Sequence, residues 1–328
     1  NVQRTILEEA AKSRVAEGTV RQQLGDFYAT GMDEAAIEKA GFDPIKSDLA
    51  AIDAIGSAGD VVRFVRDNAA KGQYYLYGVA TLGDLKNSDM EIAYLVGTGL
   101  GLPDRDYYTR TDDATKAQQT AYREHIKKTL MLIGIDETAA AEQAEQIYAI
   151  EDRLARVSMT RLQRRDFGNF YRPVPVTAAE ALSPGLTWSD YLKALDLGRL
   201  DSFSYSTPAY FTELDFMLKD VPIEQWRAYL RFHVTDAAAP FLSKAFADQH
   251  FDFFNKTLRG QAEQRPRWQR VLDTISNNMG EAVGQLYVEK TFSPEAKAKA
   301  LALVSNLQAA LKDRLERLDW MSDATKQQ

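Results

Sequence analysis

The sequence predicts a mainly α-helical fold, a multi-helical lobe that carries one small β-hairpin. Apolar residues recur at helical spacing along three long stretches of the chain. Aromatic and β-branched residues concentrate instead in a single region, on both sides of a cluster of turn-forming residues. With 328 residues, of which 45% are hydrophobic, the chain is long enough to bury a sizeable core.

The helical pattern is clearest in residues 122–133, 271–286 and 301–318. Their apolar side chains fall three to four positions apart, which places them on one face of a helix. Ser293 and Pro294 mark the start of the last helix, because serine caps a helix N-terminus and proline is favoured in the first turn.

Residues 170–187 are predicted to form a loop between two helical groups, since prolines stand at positions 173, 175 and 184. Near its middle, residues 177–180 read Thr-Ala-Ala-Glu. This is the spacing of a capping box, in which the first and fourth side chains each bond the other's backbone N–H. The pattern predicts a helix that begins there.

The predicted hairpin comprises residues 75–81 and 91–96. The turn-forming cluster at 86–89, Lys-Asn-Ser-Asp, lies between the two strands. A two-stranded hairpin is marginally stable alone, so we expect it to pack against helices.

The charge balance argues against nucleic acid as a partner. The formal net charge is −7, whereas phosphate binding needs a basic face. There is no cysteine, which excludes disulfides, thiolate zinc ligands and thiol nucleophiles. No run of about 18 apolar residues is present, so no membrane-spanning segment is predicted.

The chain begins at Asn1 without an initiator Met, and it ends in a polar stretch, 320–328, that has no helix stop signal. We therefore expect a processed or truncated piece of a longer protein.

The three histidines do not have the spacing of a zinc site. His125 has Thr129, and no second ligand, one turn further on. His233 has Asp236 three residues later, a spacing that can chelate a metal on one helix face, and His250 stands between two aspartates. A lone histidine is more often hydrogen-bonded or on the surface than a ligand. We predict no metal ligand and no catalytic residue in this chain.

Residues 97–101 read Gly-Thr-Gly-Leu-Gly, which superficially resembles a nucleotide-binding loop. The G-x-G-x-x-G spacing is absent and Pro103 follows, so a turn is the better interpretation, with glycine supplying backbone angles that other residues avoid. No G-x-S-x-G motif of a serine nucleophile is present.

Basic residues cluster at Arg161, Arg164 and Arg165, next to Asp166. The simpler interpretation is a solvated helix end with an Arg–Asp pair. The alternative is a contact for an acidic peptide.

Residues 99–108 read Gly-Leu-Gly-Leu-Pro-Asp-Arg-Asp-Tyr-Tyr. Arginine and aspartate followed by two tyrosines, just after a proline, predict a fixed turn held by charge-assisted hydrogen bonds. The segment closely resembles the L-G-L-P-x-R-D-Y-Y signature of the neprilysin-like family of zinc metallopeptidases.

Other segments resemble the same family in the same order. They are 27–38, 165–188, 266–270 (Pro-Arg-Trp-Gln-Arg), 279–292 (which contains Gly-Glu-Ala-Val-Gly-Gln-Leu-Tyr-Val) and 318–326. Two positions depart from the pattern: Gly31 stands where animal members have cysteine, and Arg172 where asparagine is usual. The resemblance covers essentially the whole chain and suggests a bacterial member.

The resemblance implies two mostly helical lobes around a closed cavity. The catalytic lobe of that family carries zinc on an H-E-x-x-H helix, which is absent from these 328 residues. The chain then corresponds to the N-terminal capping region over residues 1–328, with a helix at about 293–328 that leads toward the catalytic lobe. Zinc belongs to the full-length enzyme, and this chain alone is expected to bind none and to be inactive.

The implied partners are the C-terminal catalytic lobe of the same protein and oligopeptide substrates. Two alternatives remain open: a freestanding, non-catalytic module that binds peptides or proteins, and a nicked enzyme whose second fragment copurifies. Bacterial relatives suggest an exported or periplasmic protein, with a cytoplasmic location left open. The substrate-binding residues are not assigned. The residues that match the signatures, for which we predict a structural role, are Leu102, Pro103, Arg105, Asp106, Tyr107, Trp268, Gly284, Tyr287 and Trp320.

Overall fold

Helices form most of the regular structure. The computed structural model describes residues 2–328, and in that range it has seventeen α-helices and one four-stranded sheet, with short 3-10 and π turns between them. The predicted mainly α fold is confirmed. None of the helices in residues 2–328 is both long enough and apolar enough to cross a membrane.

The helices are numbered along the chain. They are α1 (Val2–Lys12), α2 (Val20–Met32), α3 (Glu34–Ala40), α4 (Lys46–Asp53), α5 (Ala58–Ala69), α6 (Asp106–Thr109), α7 (Asp113–Leu132), α8 (Glu137–Val157), α9 (Arg161–Arg165), α10 (Val176–Leu182), α11 (Trp188–Ala194), α12 (Pro208–Asp220), α13 (Ile223–Ala238), α14 (Lys244–His250), α15 (Arg267–Thr291), α16 (Pro294–Glu316) and α17 (Asp323–Gln327).

The chain divides into two units. Unit 1 combines the residues up to Glu34 with Arg265–Gln328, and unit 2 is Ala35–Gln264. Unit 1 therefore holds α1, α2 and α15–α17. Unit 2 holds α4–α14, nearly all of α3 and the sheet.

The predicted hairpin is confirmed, and it forms half of a larger sheet. Strands β1 (Tyr77–Gly83) and β2 (Glu91–Gly97) pair antiparallel. Two strands that the sequence did not predict, β3 (Pro173–Pro175) and β4 (Ser202–Tyr205), complete the order β1-β2-β4-β3. The parallel pairing of β2 with β4 brings residues about 110 positions apart into one sheet, an arrangement that local sequence cannot indicate.

The predicted loop at 170–187 is wrong, because most of this segment has regular structure. It contains β3 and α10, and the prolines at 173 and 175 are tolerated because β3 lies at the edge of the sheet. The predicted capping box is also wrong: Thr177 is already inside α10, whose N-cap is Pro175 and has no side-chain cap.

Aromatic rings fill the core of unit 2 beside the sheet. Trp188 is fully buried, and its indole N–H donates to Ser183 Oγ at 2.8 Å. The rings of Tyr77 and Phe211 lie edge-on to it, with centroids 5.3 and 5.1 Å away. Edge-to-face pairs of this kind add to the free energy gained by burying the rings.

Unit 1 has a small core of its own, formed by Leu7 of α1, Leu24 of α2 and Ile275 of α15, all completely buried. The apolar face predicted for 271–286 is present, but the helix is kinked at Met279, whose backbone angles are not helical. The predicted cap of α16 is confirmed, since Ser293 Oγ accepts from the backbone N–H of Ala296.

Helix α16 exposes its apolar residues. None of its side chains is buried among the described residues, and the stripe Leu301, Val304, Leu307 and Leu311 is about half exposed or more. An apolar surface of this kind is unusual for a free surface and typically marks a contact with another surface.

We predict that the isolated chain associates through this stripe. Leu307→Glu should lower the apparent mass in concentrated solution, because a charge inside the stripe opposes apolar contact. Asn306→Glu, at an exposed position on the opposite face of the same helix, adds the same charge outside the stripe and should change nothing. Light scattering over a concentration series provides the readout. A clean monomer of the unmodified chain at high concentration would refute the prediction.

Candidate functional site

The signature segment leads from β2 to the short helix α6, and hydrogen bonds within unit 2 hold it. The Tyr108 hydroxyl accepts from the backbone N–H of Leu102 at 2.9 Å, and both residues are buried. The Arg105 guanidinium donates to the carbonyl of Ser158 at 2.7 Å. The side-chain amide of Gln119 donates to the backbone carbonyl of Tyr107 at 2.9 Å. The segment is thereby joined to α7 and to the end of α8.

Glu151 of α8 lies at the centre of this arrangement, fully buried. One carboxylate oxygen, Oε2, accepts from the Tyr108 hydroxyl at 2.7 Å. The other, Oε1, is 3.0 Å from the Tyr122 hydroxyl and 2.7 Å from His233 Nε2. A buried carboxylate is tolerated when both of its oxygens accept hydrogen bonds, as they do here.

The two tyrosines stay protonated at this site. Burial, and after it the negative charge of Glu151, raises the pKa of Tyr108 and of Tyr122 well above the ordinary value. Both hydroxyls therefore remain donors to the carboxylate over the whole neutral pH range.

Glu151 was missed at the sequence level, although a signal for it exists. Along α8, buried residues fall at positions 140, 144, 147, 151 and 154, which is one helical face. A glutamate at such a position indicates a buried carboxylate that needs donors.

Neighbouring side chains leave no room for a Cβ at the glycines of segment 97–101. None of Gly97, Gly99 and Gly101 has a φ in the left-handed region, so the backbone-angle reason given above is wrong for them. A Cβ at position 99 would lie 2.5 Å from the Tyr210 hydroxyl, and one at 101 would overlap the Tyr122 hydroxyl. Tyrosine side chains from distant helices approach the loop so closely that only glycine fits.

The predicted Arg–Asp pair exists with a different aspartate. Arg161 donates through Nε to Asp104 Oδ2 at 2.7 Å, and Asp104 is buried. Asp166 instead accepts from the backbone N–H of Gly168. The basic cluster is thus attached to the signature segment, and α9 is held against it.

Two of the three histidines of unit 2, His125 and His233, form hydrogen bonds with other side chains. His233 and Asp236, which could have chelated a metal, turn to different partners: His233 to Glu151, and Asp236 to His125 at 2.9 Å. The second ring nitrogen of His125 lies 3.1 Å from the side-chain amide of Gln249. In residues 2–328 no group of three His, Asp or Glu side chains is placed to hold a metal ion.

The third histidine, His250, should make the free energy of unfolding depend on pH. Burial lowers the pKa of His250, opposed by the charge of Asp236 and assisted by His125 and Arg259. In the unfolded chain His250 takes up a proton near its ordinary pKa of 6.5, whereas in the folded chain it does so only at a lower pH. The free energy of unfolding should therefore fall as the pH drops below 6.5.

His250→Gln should reduce the fall in the free energy of unfolding at low pH. Denaturant unfolding of both proteins, at pH values from about 5 to 7.5, measures the difference, in which other titrating groups cancel. Parallel pH curves for the two proteins would contradict the assignment.

The remaining signature residues belong to unit 1. Trp268 is half-buried, with the Arg4 guanidinium 4.8 Å from its ring centroid. Gly284 has no atom within 4 Å of the place where a Cβ would stand. Tyr287 and Trp320 are exposed. No contact in the described part of the chain explains these last three residue types.

Two hollows open beside the signature segment, with volumes of about 210 and 450 Å³. They adjoin, since Arg105, Ser158, Met159 and Thr207 line both. A third, of about 570 Å³, lies where His233 borders Tyr74 and Phe241. Hollows of this size can accept part of a peptide, but none contains a nucleophile hydrogen-bonded to a base.

The chain matches a family model over its full length. The model is that of the N-terminal part of peptidase family M13, and the match covers residues 1–328. The chain therefore belongs to peptidase family M13, and the neprilysin-like resemblance is confirmed.

Curated relatives include endothelin-converting enzyme 1 of Mus musculus, 24% identical over 334 residues, and endothelin-converting enzyme-like 1 of Rattus norvegicus, 26% identical over 326. The alignments cover 98% and 94% of this chain, but only 43% and 42% of those proteins. The chain thus spans less than half the length of the relatives it matches.

Solved structures similar to this chain also match it over nearly its full length. The zinc metalloprotease Zmp1 of Mycobacterium tuberculosis in its open state is 31% identical, with a TM-score of 0.90 over 99% of this chain and 51% of that one. PepO from Lactobacillus rhamnosis matches with a TM-score of 0.85 at 18% identity, which supports the fold.

Proposed function

We propose that this chain is the N-terminal capping and gating portion of a zinc metalloendopeptidase that hydrolyses oligopeptides. The observation that carries the proposal is the match of the entire chain to about half of a zinc metalloprotease at a TM-score of 0.90. The relatives are peptidases, which gives no support to a freestanding binding module.

The zinc of such an enzyme does not fit this chain. His125, His233 and Asp236 already form hydrogen bonds with protein groups, and within residues 2–328 no His, Asp or Glu side chain is placed to complete a set of three ligands. A catalytic zinc needs three protein ligands and one open position. We therefore assign zinc to a C-terminal catalytic lobe of the same protein and expect this chain alone to be inactive.

The exposed stripe of α16 suits that partner. Leu301, Leu307 and Leu311 lie in the segment predicted to lead toward the catalytic lobe. Apolar residues left exposed by one lobe are stabilised when the other lobe covers them. We propose the stripe as part of the contact with that lobe.

The gene tests the first half of the proposal. The reading frame beyond the codon for Gln328 should continue and encode an H-E-x-x-H motif, since this motif supplies two zinc ligands and the general base. A stop codon directly after Gln328 would contradict the proposal. We also propose export or a periplasmic location, which fractionation of cells that express the complete protein would test.

The capping role has its own experiment. The complete enzyme should cleave a free peptide and leave the same sequence intact when it forms a loop of a stably folded protein, because a capped cavity admits only small chains. The same substrate protein, denatured before it is added to the enzyme, serves as the control and should be cleaved. Equal rates on the free and the folded forms would refute the capping role.

A further inference from the structure

Four arginines line the two adjoining hollows beside the signature segment. Arg105 borders both, Arg164 borders the smaller one, and Arg156 and Arg172 border the larger one. We call this feature the basic groove. It is unusual in a protein with a formal net charge of −7.

The positive charge of the groove is only partly neutralised: Arg156 is paired with Asp152 at 2.8 Å, whereas Arg105, Arg164 and Arg172 donate no hydrogen bond to a carboxylate of residues 2–328. Asp104 is the one carboxylate that lines it, and that side chain is held by Arg161. Arg164 reaches Asp104 only at 3.8 Å. Among residues 2–328, Arg172 donates through its backbone N–H to Ser204 Oγ, and its guanidinium has neither a hydrogen bond nor an ion pair. A guanidinium offers five N–H donors in a fork that suits carboxylates.

A buried hydroxyl without a partner lies in the same place. Thr207 lines both hollows, and its Oγ1 is buried with no hydrogen-bond partner in the described structure. Thr207 also precedes Pro208, the first residue of α12, but does not cap that helix through its side chain. A buried hydroxyl normally finds a partner, so this one is available to an oxygen of a ligand that enters the hollows.

The surface between the charges is apolar. Met159 lines both hollows, Phe170 lines the smaller and Pro208 the larger. A single inorganic anion would leave this surface exposed, whereas an extended peptide could place carboxylates on the arginines and apolar groups between them.

We propose that the basic groove binds an acidic peptide segment in extended form. Its carboxylates pair with Arg105, Arg164 and Arg172, and an oxygen of the ligand accepts from the Thr207 hydroxyl. Met159 contacts the ligand between the charges. The groove and its charge are features of unit 2 by itself, so this inference does not depend on the peptidase assignment.

The test uses the full chain and a dye-labelled peptide of alternating Glu and Val, with the Gln–Val peptide of the same length for comparison. Fluorescence anisotropy at low and at physiological salt should give binding of the Glu peptide alone, weakened by salt. Arg164→Gln and Arg172→Gln should each weaken binding about fivefold or more, as expected for the loss of a charge-assisted pair. Arg165→Gln, the neighbour on α9 that does not line the groove, should leave it unchanged.

Thr207→Val provides a second and independent variant. It should weaken binding of the Glu peptide about threefold or more, and it should leave the midpoint of thermal unfolding unchanged because the hydroxyl forms no hydrogen bond within the protein. Absence of binding at low salt would overturn the proposal. So would an equal effect of Arg165→Gln, or displacement of the peptide by free glutamate at matched carboxylate concentration, which indicates single-anion binding.

Discussion

Glu151→Ala is expected to cost about 3–5 kcal/mol of the free energy of unfolding. The substitution removes the shared acceptor of Tyr108, Tyr122 and His233 and leaves two buried tyrosine hydroxyls and a partly buried histidine without this partner. Each unsatisfied donor carries its own desolvation cost, and the space of the carboxylate becomes a cavity. Denaturant unfolding of the full chain, followed by the near-ultraviolet signal of its tyrosines, measures the loss.

The matched control is Glu145→Ala on the same helix. Glu145 is exposed and forms a surface ion pair with Arg123 at 3.1 Å, which is worth less than about 1 kcal/mol. Glu151→Gln should fall between the two, because an amide keeps one acceptor and adds a donor where an acceptor is needed. Equal costs for Glu151→Ala and Glu145→Ala would contradict the role of Glu151 as the shared acceptor that holds the signature segment.

Gly101→Ala is expected to be the second most damaging change, at about 1–3 kcal/mol or more. The new methyl group would overlap the Tyr122 hydroxyl and lie 2.9 Å from Cζ of that ring. Tyr122 is fully buried and bonded to Glu151, so it cannot move aside without breaking the carboxylate arrangement. Thermal and denaturant unfolding provide the measurement.

Gly59→Ala is the control for the alanine substitution itself. That glycine lies in the first turn of α5 with no crowded neighbour, and alanine there should be neutral or stabilising by up to about 1 kcal/mol. Tyr122→Phe should cost less in the Gly101→Ala background than in the unmodified chain, because it removes the clashing oxygen. Strict additivity of the two changes would show that the close approach has no energetic weight.

Local patterns predicted the elements whose causes are local. The hairpin at β1 and β2 follows from strand-forming residues around a turn, and Ser293 caps α16 through a bond three residues away. Elements with distant causes were not predictable. β3 is a strand because β4, about 30 residues later, pairs with it, and its prolines argued for a loop.

The candidate site illustrates the same limit. The signature segment could be located from the sequence, but its partners could not: Glu151, Tyr122 and His233 come from three different helices. The reason for a glycine at 101 is a tyrosine 21 residues later, and no local rule indicates that approach. Only the position of Glu151 on an apolar helix face offered a clue.

The most direct test of the central claim is the zinc content and peptide-hydrolysing activity of the purified chain of residues 1–328. His125 and His233 are hydrogen-bonded to protein side chains, and no group of three His, Asp or Glu side chains in residues 2–328 is placed to hold a metal ion. Zinc added in slight excess and then dialysed should therefore leave the protein metal-free, and an oligopeptide mixture should remain intact. Stoichiometric, tightly held zinc accompanied by turnover in this chain alone would contradict the assignment of catalysis to another lobe.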